Sequence, residues 1–405
     1  MHIDLDSCFA SIEQQANPLL RGKPMAVAAY ATPRGCILSA SIEAKRYGIK
    51  TGMRVSEGRL LYPKLIVTTP DSSKYRDAHI KFRTIFQRFT PEVSPRSIDE
   101  AVLDFGPMMH RIPSLEEVAK TIKKQMATEI GEFVTCSIGI ATNRFLAKMG
   151  ASLGKPNGLE IITHDKVIPL YQKLQLTDLH GIADKNEARL NACNIFTPMD
   201  LFEASEQFLR KQVFGGIVGY YWYLRLRGWE IDQAEWATKS YGQQYALGKQ
   251  TADPKELARL IMKLCEKMGR RLRQAGNAAR GIHLAMVYTD HTHWHKGKKM
   301  EKEMYTTAEL FKKAMWLFNQ QPQRKVVRLL AVSCFDLIPA ATPQLSLFDL
   351  AQGKKRLAAD AMDKINDKYG EFVITPALML DMDNTILDRI AFGRIRELEK
   401  VDVAY

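Results

Sequence analysis

The sequence predicts a multidomain α+β protein, and three observations support that fold class. The chain has 405 residues, and single hydrophobic cores stop growing well below that length, so several domains are expected. Short strand-like segments alternate along the chain with amphipathic helical segments. In the C-terminal half, two helical segments alternate with strands in the pattern typical of helices packed on one face of a sheet.

The chain is strongly basic. It carries 58 Lys and Arg against 45 Asp and Glu, a net charge of +13, which indicates a polyanionic partner, either nucleic acid or an anionic membrane surface. No apolar run approaches the length of a membrane span and no leader precedes Asp4, so a soluble cytoplasmic protein without membrane association is expected. The six cysteines are scattered, which predicts reduced residues rather than a zinc site or a disulfide frame.

A pair of adjacent carboxylates, Asp99 and Glu100, lies at a tight junction between two strand-like segments, residues 92–96 and 101–105. Two adjacent carboxylates repel each other unless a cation neutralises them. Hard oxygen ligands of this kind suit Mg²⁺ that is bound together with substrate phosphates. Adjacent acidic residues are also common at exposed turns, so this pair indicates a metal site only in combination with other acidic residues.

A second acidic cluster opens the chain. Asp4 and Asp6 share one face of a predicted strand, and Ile3 and Leu5 share the other. If this strand pairs beside the hairpin that carries Asp99, three carboxylates converge. That arrangement would hold two metal ions that clamp the attacking and leaving oxygens of an in-line phosphoryl displacement.

Hydrophobic periodicity and capping signals predict the other elements of the N-terminal half. Strands are expected at residues 24–30, 36–38 and 134–140, and helices at residues 7–13, 40–47, 72–89, 114–129 and 144–151. Asp6 or Ser7 is the expected N-cap of the first helix, and Gly48 is expected to end the second. Thr142 or Asn143 should cap the last helix, whose amide end would then face phosphate.

Several motifs follow one another in a fixed order. They are IDLDSCFASIE at residues 3–13, RGKP at 21–24, EAKRYGI at 43–49, SIDEA at 97–101, FLAK at 145–148 and KPNG at 155–158. In order and spacing they resemble the Y-family translesion DNA polymerases of the DinB and UmuC type. The likeness is strong over roughly residues 2–160 and collinear to about residue 340.

The resemblance implies a right-hand polymerase with palm, fingers, helical thumb and α+β little finger. The implied boundaries are palm 1–10 and 71–165, fingers 11–70, thumb 166–229, linker 230–243, little finger 244–338 and tail 339–405. The implied activity is template-directed, low-fidelity translesion synthesis on primer-template DNA. The primer 3′-hydroxyl attacks the α-phosphate of a dNTP and pyrophosphate leaves.

The resemblance also implies the roles of the acidic residues, with two Mg²⁺ ions as cofactors. Asp4 and Asp99 would bridge both metals, Glu100 would bind the primer-side metal, and the Leu5 carbonyl would complete the nucleotide-side metal. Phe9 would be the steric gate that excludes a ribose 2′-hydroxyl. The remaining residues implied to contact the nucleotide are Cys8, Ile42, Lys45, Lys148 and Lys155.

Two of these positions depart from the common family pattern. Ile42 and Lys45 stand where many members have Tyr and Arg against the triphosphate. Lysine keeps the charge but not the bidentate fork of arginine, and isoleucine offers no hydroxyl. UmuC-like members show a similar pattern, so reduced nucleotide affinity is expected rather than inactivity.

Residues 179–201 resemble a helix-hairpin-helix, whose backbone amides grip DNA phosphates without reading sequence. The expected DNA contacts there are Gly181, Ala183 and Lys185. Ala183 replaces the second glycine of the hairpin and is expected to weaken the grip, whereas Asn194 tolerates the left-handed conformation of the glycine it replaces. A plain helical connector would explain the same residues.

The little finger is predicted from helices at residues 254–274 and 308–319 and strands at 283–288 and 325–335. Its expected phosphate contacts are Lys298, Lys299, Arg324 and Arg328. His291, His293 and His295 alternate, but no carboxylate or cysteine completes a zinc set. A loop beside DNA accounts for these histidines.

The segment after the little finger contains a short apolar peptide, residues 344–348. It resembles the peptide with which bacterial polymerases bind a sliding clamp of the β-subunit type, and its expected anchors are Gln344, Leu345, Leu347 and Phe348. Beyond it, a helix at 354–368 and a strand near 372–374 are expected, with no derivable role. The need for a UmuD-like accessory subunit is left open.

Three other functions are compatible with part of the sequence. A catalytically inert polymerase-like adaptor would bind DNA and the clamp, but such relatives lose metal carboxylates that this chain keeps. A palm-fold nucleotidyl cyclase would bind metal ions through a similar set of carboxylates, but it would not explain the basic C-terminal half. A pure DNA-binding protein explains the charge but not the acidic cluster.

Overall fold

The computed structural model describes residues 1–231, 237–340, 350–370, 372–382 and 385–386. These residues form two compact units, which we call unit 1 (up to residue 231) and unit 2 (from residue 237). Each unit has its own sheets and helices around its own apolar core, so the α+β multidomain fold is confirmed.

Unit 1 begins with a strand and alternates strands with helices as far as residue 162. The strands are β1 (His2–Leu5), β2 (Met25–Ala28), β3 (Ile37–Ala40), β4 (Ile66–Thr68), β5 (Val93–Pro95), β6 (Glu100–Leu103), β7 (Cys136–Ala141) and β8 (Leu159–Ile162). The helices are α1 (Cys8–Ala16), α2 (Ile42–Arg46), α3 (Val55–Leu61), α4 (Ser72–Gln87), α5 (Leu115–Glu129), α6 (Arg144–Leu153), α7 (His164–Tyr171), α8 (Asp184–Asn191), α9 (Pro198–Glu203), α10 (Glu206–Phe208) and α11 (Ile217–Leu226).

Strand β1 lies at the centre of the larger sheet of unit 1. Among the described residues this sheet has the order β5-β6-β1-β7-β8, and β1 pairs antiparallel with both β6 and β7. Ile3 and Leu5 are buried in the core that α4 and α5 cover, and full burial of such a side chain stabilises the fold by about 1.5–3 kcal/mol. The alternation of the strand then directs His2 and Asp4 to the opposite face.

Helix α6 packs unusually closely on β7. A Cβ atom at Gly139 would lie 1.9 Å from the Ala147 carbonyl oxygen, so only glycine permits this approach. Of the two expected caps, Asn143 caps α6, since its Oδ1 accepts from the Leu146 amide at 2.8 Å. Its Nδ2 donates to the Arg225 carbonyl at 2.8 Å, which ties α6 to the end of α11.

A smaller sheet of unit 1, with the order β3-β2-β4, carries α2 and α3. Ser41 caps α2 by accepting from the Ala44 amide at 3.2 Å. Gly48 follows the helix with φ of +82°, as predicted for its terminating glycine. Residues 164–226 carry the helices α7 to α11, in agreement with the helical character expected for residues 166–229.

Unit 2 contains one antiparallel sheet in its described residues, with the order β11-β10-β12-β9. Its elements are β9 (Ser240–Thr251), α12 (Pro254–Gln274), β10 (Asn277–Tyr288), β11 (His293–Met304), α13 (Thr307–Phe318), β12 (Val327–Pro339) and α14 (Leu350–Tyr369). The apolar core between the sheet and the helices includes Ile282, Leu284 and Met286 of β10 together with residues of α12 and α13. The intervening side chains of β10 therefore lie on the opposite face of the sheet.

Three expectations for this half of the chain are corrected, and the first is the loop expected at the alternating histidines, because His293 and His295 lie on β11 and pair with β10. The predicted linker 230–243 extends too far, because β9 begins at Ser240 and pairs with β12. Tyr241, Tyr245 and Leu247 occupy alternate positions of β9 and pack on the core. The polar residues between them made this segment look like a linker in the sequence. The strand expected near 372–374 is absent from the described residues, where Ile374 instead bonds through its amide and carbonyl to the Asn366 side chain.

The tail after the clamp-like peptide is part of unit 2. Helix α14 extends the predicted helix 354–368 by a few residues at its N-terminal end, and residues 377–382 lie along α12. Arg273 of α12 pairs with both carboxylate oxygens of Asp363, at 2.6 and 2.9 Å, and both side chains are largely buried. The Lys267 ammonium donates to the Ile386 carbonyl at 2.8 Å. The clamp-like peptide 344–348 lies outside the described residues.

This docking predicts the effect of Asp363→Ala on stability. Within the described residues, the substitution leaves Glu266, at 4.0 Å, as the one carboxylate within ion-pair distance of the buried Arg273 guanidinium. Breaking a buried ion pair on one side costs about 3 kcal/mol. We expect that loss in the free energy of unfolding of unit 2, measured by urea titration. Asp367→Ala is the control because its pair with Arg270 is half-exposed and should matter by less than about 1 kcal/mol; equal effects would contradict the prediction.

Within the described residues, none of the helices combines the length and the apolar character that crossing a bilayer requires.

Candidate active site

The register of β1 against β6 brings two carboxylates together. Asp4 lies directly opposite Glu100 in the antiparallel ladder. One side-chain ligand atom each from His2, Asp4 and Glu100 lies within 4.8 Å of the others. The short hairpin of β5 and β6, with the turn that holds Asp99, is as predicted from the sequence.

Two lysines face these carboxylates. The Lys148 ammonium of α6 donates to both oxygens of Glu100, each at 2.6 Å. The Lys155 ammonium pairs with Oδ1 of Asp4. The two ammonium groups thus place positive charge directly against the acidic cluster.

The lysines do not fully offset the burial of the acids. Burial raises the pKa of Asp4 to about 6, with Glu100 and Asp99 adding to the rise and Lys155 opposing it. Burial also raises the pKa of Asp99, and Glu100 adds to that shift. Carboxylates that are this reluctant to ionise are stabilised by a bound cation.

Asp99 and Leu5 are adjacent in this arrangement. The Leu5 amide donates to the Asp99 carbonyl at 2.9 Å, which joins β1 to the turn before β6. The Asp99 carboxylate accepts from the Ser97 hydroxyl. The oxygen donors of Asp4, Asp99 and Glu100 fit a hard divalent cation of the Mg²⁺ class.

His2 is a site residue that the sequence analysis did not single out. Its ring is buried, and Nε2 lies 3.8 Å from Oε2 of Glu100. Neither ring nitrogen has a hydrogen-bond partner in the described part of the chain. Burial and then the charge of Lys148 lower the pKa of His2 to about 3, so the ring is neutral. The available signal was its position two residues before Asp4, on the same strand face.

Asp6 is separated from this cluster. Its side chain is buried and accepts hydrogen bonds from the hydroxyls of Thr135 and Ser137 and from the Asn157 amide, each at 2.8 Å. Alternation made Asp6 look equivalent to Asp4, but β1 ends at Leu5 and Ser7 adopts a left-handed conformation with φ of 53°. The chain therefore turns into α1 directly after Asp6.

Phe9 and Cys8 begin α1 beside the acidic strand. The Phe9 ring is buried and stacks on Tyr75 of α4, with ring centroids 4.2 Å apart. The Tyr75 hydroxyl donates to Glu13 at 2.9 Å, and this hydrogen bond holds the Tyr75 ring in place against Phe9. Burial raises the pKa of the Cys8 thiol well above its ordinary value, so the Cys8 side chain is uncharged.

Lys45 of α2 lies close enough to Lys155 for the two charges to interact. Desolvation and then Lys155 lower the pKa of Lys45, while Asp6 and Asp4 act in the opposite direction. Ile42, at the start of the same helix, is half-buried. Lys45 therefore interacts electrostatically with Lys155, Asp6 and Asp4.

The hairpin residues expected to contact DNA lie before and within α8. Gly181 has φ of +98°, where glycine is favoured, and its carbonyl accepts from the Asn186 side chain at 3.0 Å. Ala183 stands at the N-cap of α8 without a side-chain cap bond. Lys185 is exposed on the first turn. Asn194 adopts the expected left-handed conformation, with φ of +59°.

The basic residues expected to contact DNA in unit 2 lie on β11 and on or just before β12. Lys298 and Lys299 are exposed on β11, and Lys299 is 3.2 Å from Asp336. Arg324 precedes β12 and is exposed, and Arg328 lies 3.2 Å from Nδ1 of His291. The expected clamp anchors Gln344, Leu345, Leu347 and Phe348 lie outside the described residues.

Comparison with known proteins gives a consistent result. The sequence model of the impB/mucB/samB family matches residues 3–152, and that of the impB/mucB/samB family C-terminal domain matches residues 238–347. The chain is 34% identical over 392 residues to the DNA polymerase IV of Pelotomaculum thermopropionicum, which covers 95% of this chain and 96% of that protein. It is 32% identical over 378 residues to the DNA polymerase IV of Bacillus anthracis, with 91% and 90% covered.

Solved structures show the same likeness. A Y-family DNA polymerase chimera of Dbh and Dpo4 superimposes with a TM-score of 0.71 at 25% identity, covering 83% of this chain and 98% of that one. The insertion ternary complex of Dbh DNA polymerase superimposes with a TM-score of 0.55 at 24% identity over the same shares of the two chains.

Proposed function

The chain belongs to the impB/mucB/samB family of Y-family DNA polymerases, and we propose that it extends primers across damaged template DNA through the acidic site of unit 1. The observation that carries this proposal is the β1–β6 register, which sets Asp4 opposite Glu100 with Lys155 and Lys148 against them. Template-directed DNA synthesis from dNTPs, with low fidelity and in translesion synthesis, is the activity of this family.

Catalysis in this family uses a divalent metal, and we propose two Mg²⁺ ions held by Asp4, Asp99, Glu100 and the Leu5 carbonyl. When bound, the ions neutralise the charge that develops on the reacting phosphate and favour ionisation of the primer hydroxyl. The protein contributes position and electrostatic complementarity, because phosphoryl transfer needs little covalent chemistry from side chains.

The two lysines of the site would then change partners. In the structure Lys155 and Lys148 pair with Asp4 and Glu100. Asp4 and Glu100 would hold the cation, and the phosphate oxygens of a dNTP would then be the partners of the two lysines. Both ammonium groups would bind the triphosphate, with Lys45 as a third positive charge that interacts with Lys155.

Phe9 would control the choice of sugar. Its ring packs on Tyr75 and follows directly on the acidic strand, where the sugar of a metal-bound triphosphate would lie. Because the ring is buried against a second aromatic ring, it cannot retreat without breaking that contact. A ribose 2′-hydroxyl would therefore clash with the Phe9 ring.

The DNA contacts are proposed from position and charge. The backbone amides around Gly181 and Ala183, with Lys185, would grip phosphates in unit 1. Lys298, Lys299, Arg324 and Arg328 would neutralise phosphates in unit 2, and each neutralised phosphate steepens the loss of affinity with salt. We also propose that residues 344–348 bind a sliding clamp of the β-subunit type and that a UmuD-like subunit is a candidate partner.

The raised pKa of Asp4 predicts a pH dependence of cation binding. The protonated carboxyl cannot bind a cation, so protons compete below the pKa of about 6 and stop competing above it. We expect the affinity for Mn²⁺, used as an EPR-visible probe, to be constant above that pH and to fall about tenfold per pH unit below it.

A carboxyl pKa raised by folding also means that this group makes the metal-free protein less stable as pH rises from about 4 to about 6. Unchanged Mn²⁺ affinity between pH 5 and pH 7 would contradict the prediction.

Primer extension tests the proposed function directly. Purified full-length protein, a 5′-labelled primer on a DNA template, Mg²⁺ and all four dNTPs should give primers that lengthen with time, including past an abasic site. Omission of Mg²⁺ should abolish extension. Tight binding of primer-template without any extension, with or without a sliding clamp, would overturn the proposal.

A further inference from the structure

We propose that Asp6 and Lys123 are positioning residues that jointly hold the loop 155–158 and so place the Lys155 ammonium for the triphosphate of the incoming nucleotide. The inference rests on the proposed function and deepens it. Neither residue touches the reacting atoms; both act through the backbone of the loop that carries Lys155. Asp6 would otherwise be read as a further acid of the catalytic cluster, and Lys123 as an ordinary residue of α5.

Asp6 holds the loop from the side of β1. Its Oδ2 accepts from the Asn157 amide and from the Thr135 hydroxyl, and its Oδ1 accepts from the Ser137 hydroxyl, each at 2.8 Å. The side chain is buried. Three donors satisfy a buried carboxylate well, so Asp6 has a strong preference for this one arrangement.

Lys123 of α5 holds the same residue, Asn157, through other atoms. Its ammonium donates to the Asn157 carbonyl at 2.7 Å, to the Asn157 side-chain oxygen at 2.9 Å and to the Cys136 carbonyl at 2.9 Å. All three donor positions of the ammonium are thereby used. Asn157 is thus gripped through its amide by an anion and through its carbonyl and side chain by a cation.

The loop has little freedom between these two contacts. Asn157 has φ of 56°, in the left-handed region. The Gly158 amide donates to the Ser137 hydroxyl at 3.3 Å, and the Gly158 carbonyl accepts from the Ile138 amide at 3.0 Å. A Cβ atom at Gly158 would lie 2.0 Å from the Gly154 carbonyl oxygen, so the loop is pressed against the end of α6.

This attachment matters because of what the loop carries. Lys155 is about a third exposed, and its ammonium reaches Asp4. A long flexible side chain loses less entropy on binding when the backbone from which it starts is already fixed. Asp4 and Asp6 are two residues apart, so one strand end supplies both a proposed metal ligand and the anchor of the triphosphate lysine. The spacing between metal and lysine is thereby set by local geometry.

The test compares Lys123→Met with the wild-type chain. We expect the KM for dNTP to rise about tenfold with little change in kcat, because a charge-assisted grip on the loop is lost while the carboxylates stay in place. The affinity of dNTP for a complex with a dideoxy-terminated primer and Ca²⁺ should fall by a similar factor. Lys124→Met, an exposed neighbour on the same helix, is the matched control and should change neither value.

A double-mutant cycle separates positioning from general structural support. In a Lys155→Ala background, adding Lys123→Met should raise KM no further, because the group that the loop positions is gone. A merely structural role would instead lower the melting temperature and the active fraction while leaving KM unchanged. Asp6→Asn gives a second route to the same result if Lys123→Met is unstable.

The outcomes distinguish this inference from the proposed function. If the wild-type chain extends primers and Lys123→Met leaves KM and dNTP affinity unchanged, the inference is wrong and the proposed function stands. Additive effects of Lys123→Met and Lys155→Ala would also overturn it. If the wild-type chain binds primer-template and extends nothing, the proposed function itself fails.

Discussion

Primer extension by the Asp99→Ala/Glu100→Ala variant should fall by about a thousandfold or more, because two of the three carboxylates proposed to hold the metals are removed. The loss should appear in kcat under saturating dNTP, since the charge that develops on the reacting phosphate would lose its stabilisation. Affinity for primer-template should not decrease, because removing two negative charges from a basic protein cannot weaken its attraction for a polyanion. Single-turnover extension and fluorescence anisotropy measure the two quantities.

A matched control separates charge from position. Glu116→Ala/Glu117→Ala removes two exposed carboxylates from the first turn of α5 and changes the net charge by the same amount. This variant should extend primers at nearly the wild-type rate. Extension that survives in the Asp99→Ala/Glu100→Ala variant would mean that the catalytic metals bind elsewhere.

Replacement of Phe9 by alanine should remove most of the discrimination against ribonucleotides. The buried ring, stacked on Tyr75 with centroids 4.2 Å apart, is the group proposed to meet a 2′-hydroxyl. Its deletion opens space for one added oxygen, and we expect the ratio of kcat/KM for dGTP over GTP to fall by roughly a hundredfold. Most of that change should come from faster GTP incorporation rather than from slower dGTP incorporation.

Tyr75→Phe is the control for this experiment. It keeps the ring under Phe9 and removes only the hydroxyl that donates to Glu13. Sugar discrimination should therefore stay within about threefold of wild type, although stability should decrease because a buried Glu13 oxygen loses a donor. Unchanged discrimination in Phe9→Ala would show that another residue excludes the 2′-hydroxyl.

Much of the fold was predictable because its signals are local. Helix α12 was predicted with its observed ends, and α4, α5, α6 and α13 were predicted within a few residues, since capping residues such as Asn143 and Ser114 mark their starts. Strand β9 was missed because most of its residues are polar or glycine. Its apolar side, formed by Tyr241, Tyr245 and Leu247, is too sparse to stand out in the sequence. The strand expected near residue 372 was wrong for the described residues, where the Ile374 amide and carbonyl bond to the Asn366 side chain rather than to a neighbouring strand.

The sequence by itself determined which residues form the acidic site. Asp4, Asp99 and Glu100 stand in short motifs whose strand and turn character can be read from a few neighbouring residues, and the Y-family likeness depends on those same motifs. The positive charge and the class of partner were equally accessible, because they depend on composition alone.

Only the tertiary structure decided how those residues divide their roles. Asp4 and Asp6 are indistinguishable by alternation, yet one faces Lys155 at the acidic cluster and the other holds Asn157. His2, Lys123 and the docking of α14 on α12 depend on contacts between residues that are far apart in the chain. No local pattern encodes such contacts, because burial and side-chain direction are set by packing of the whole unit rather than by neighbours in sequence.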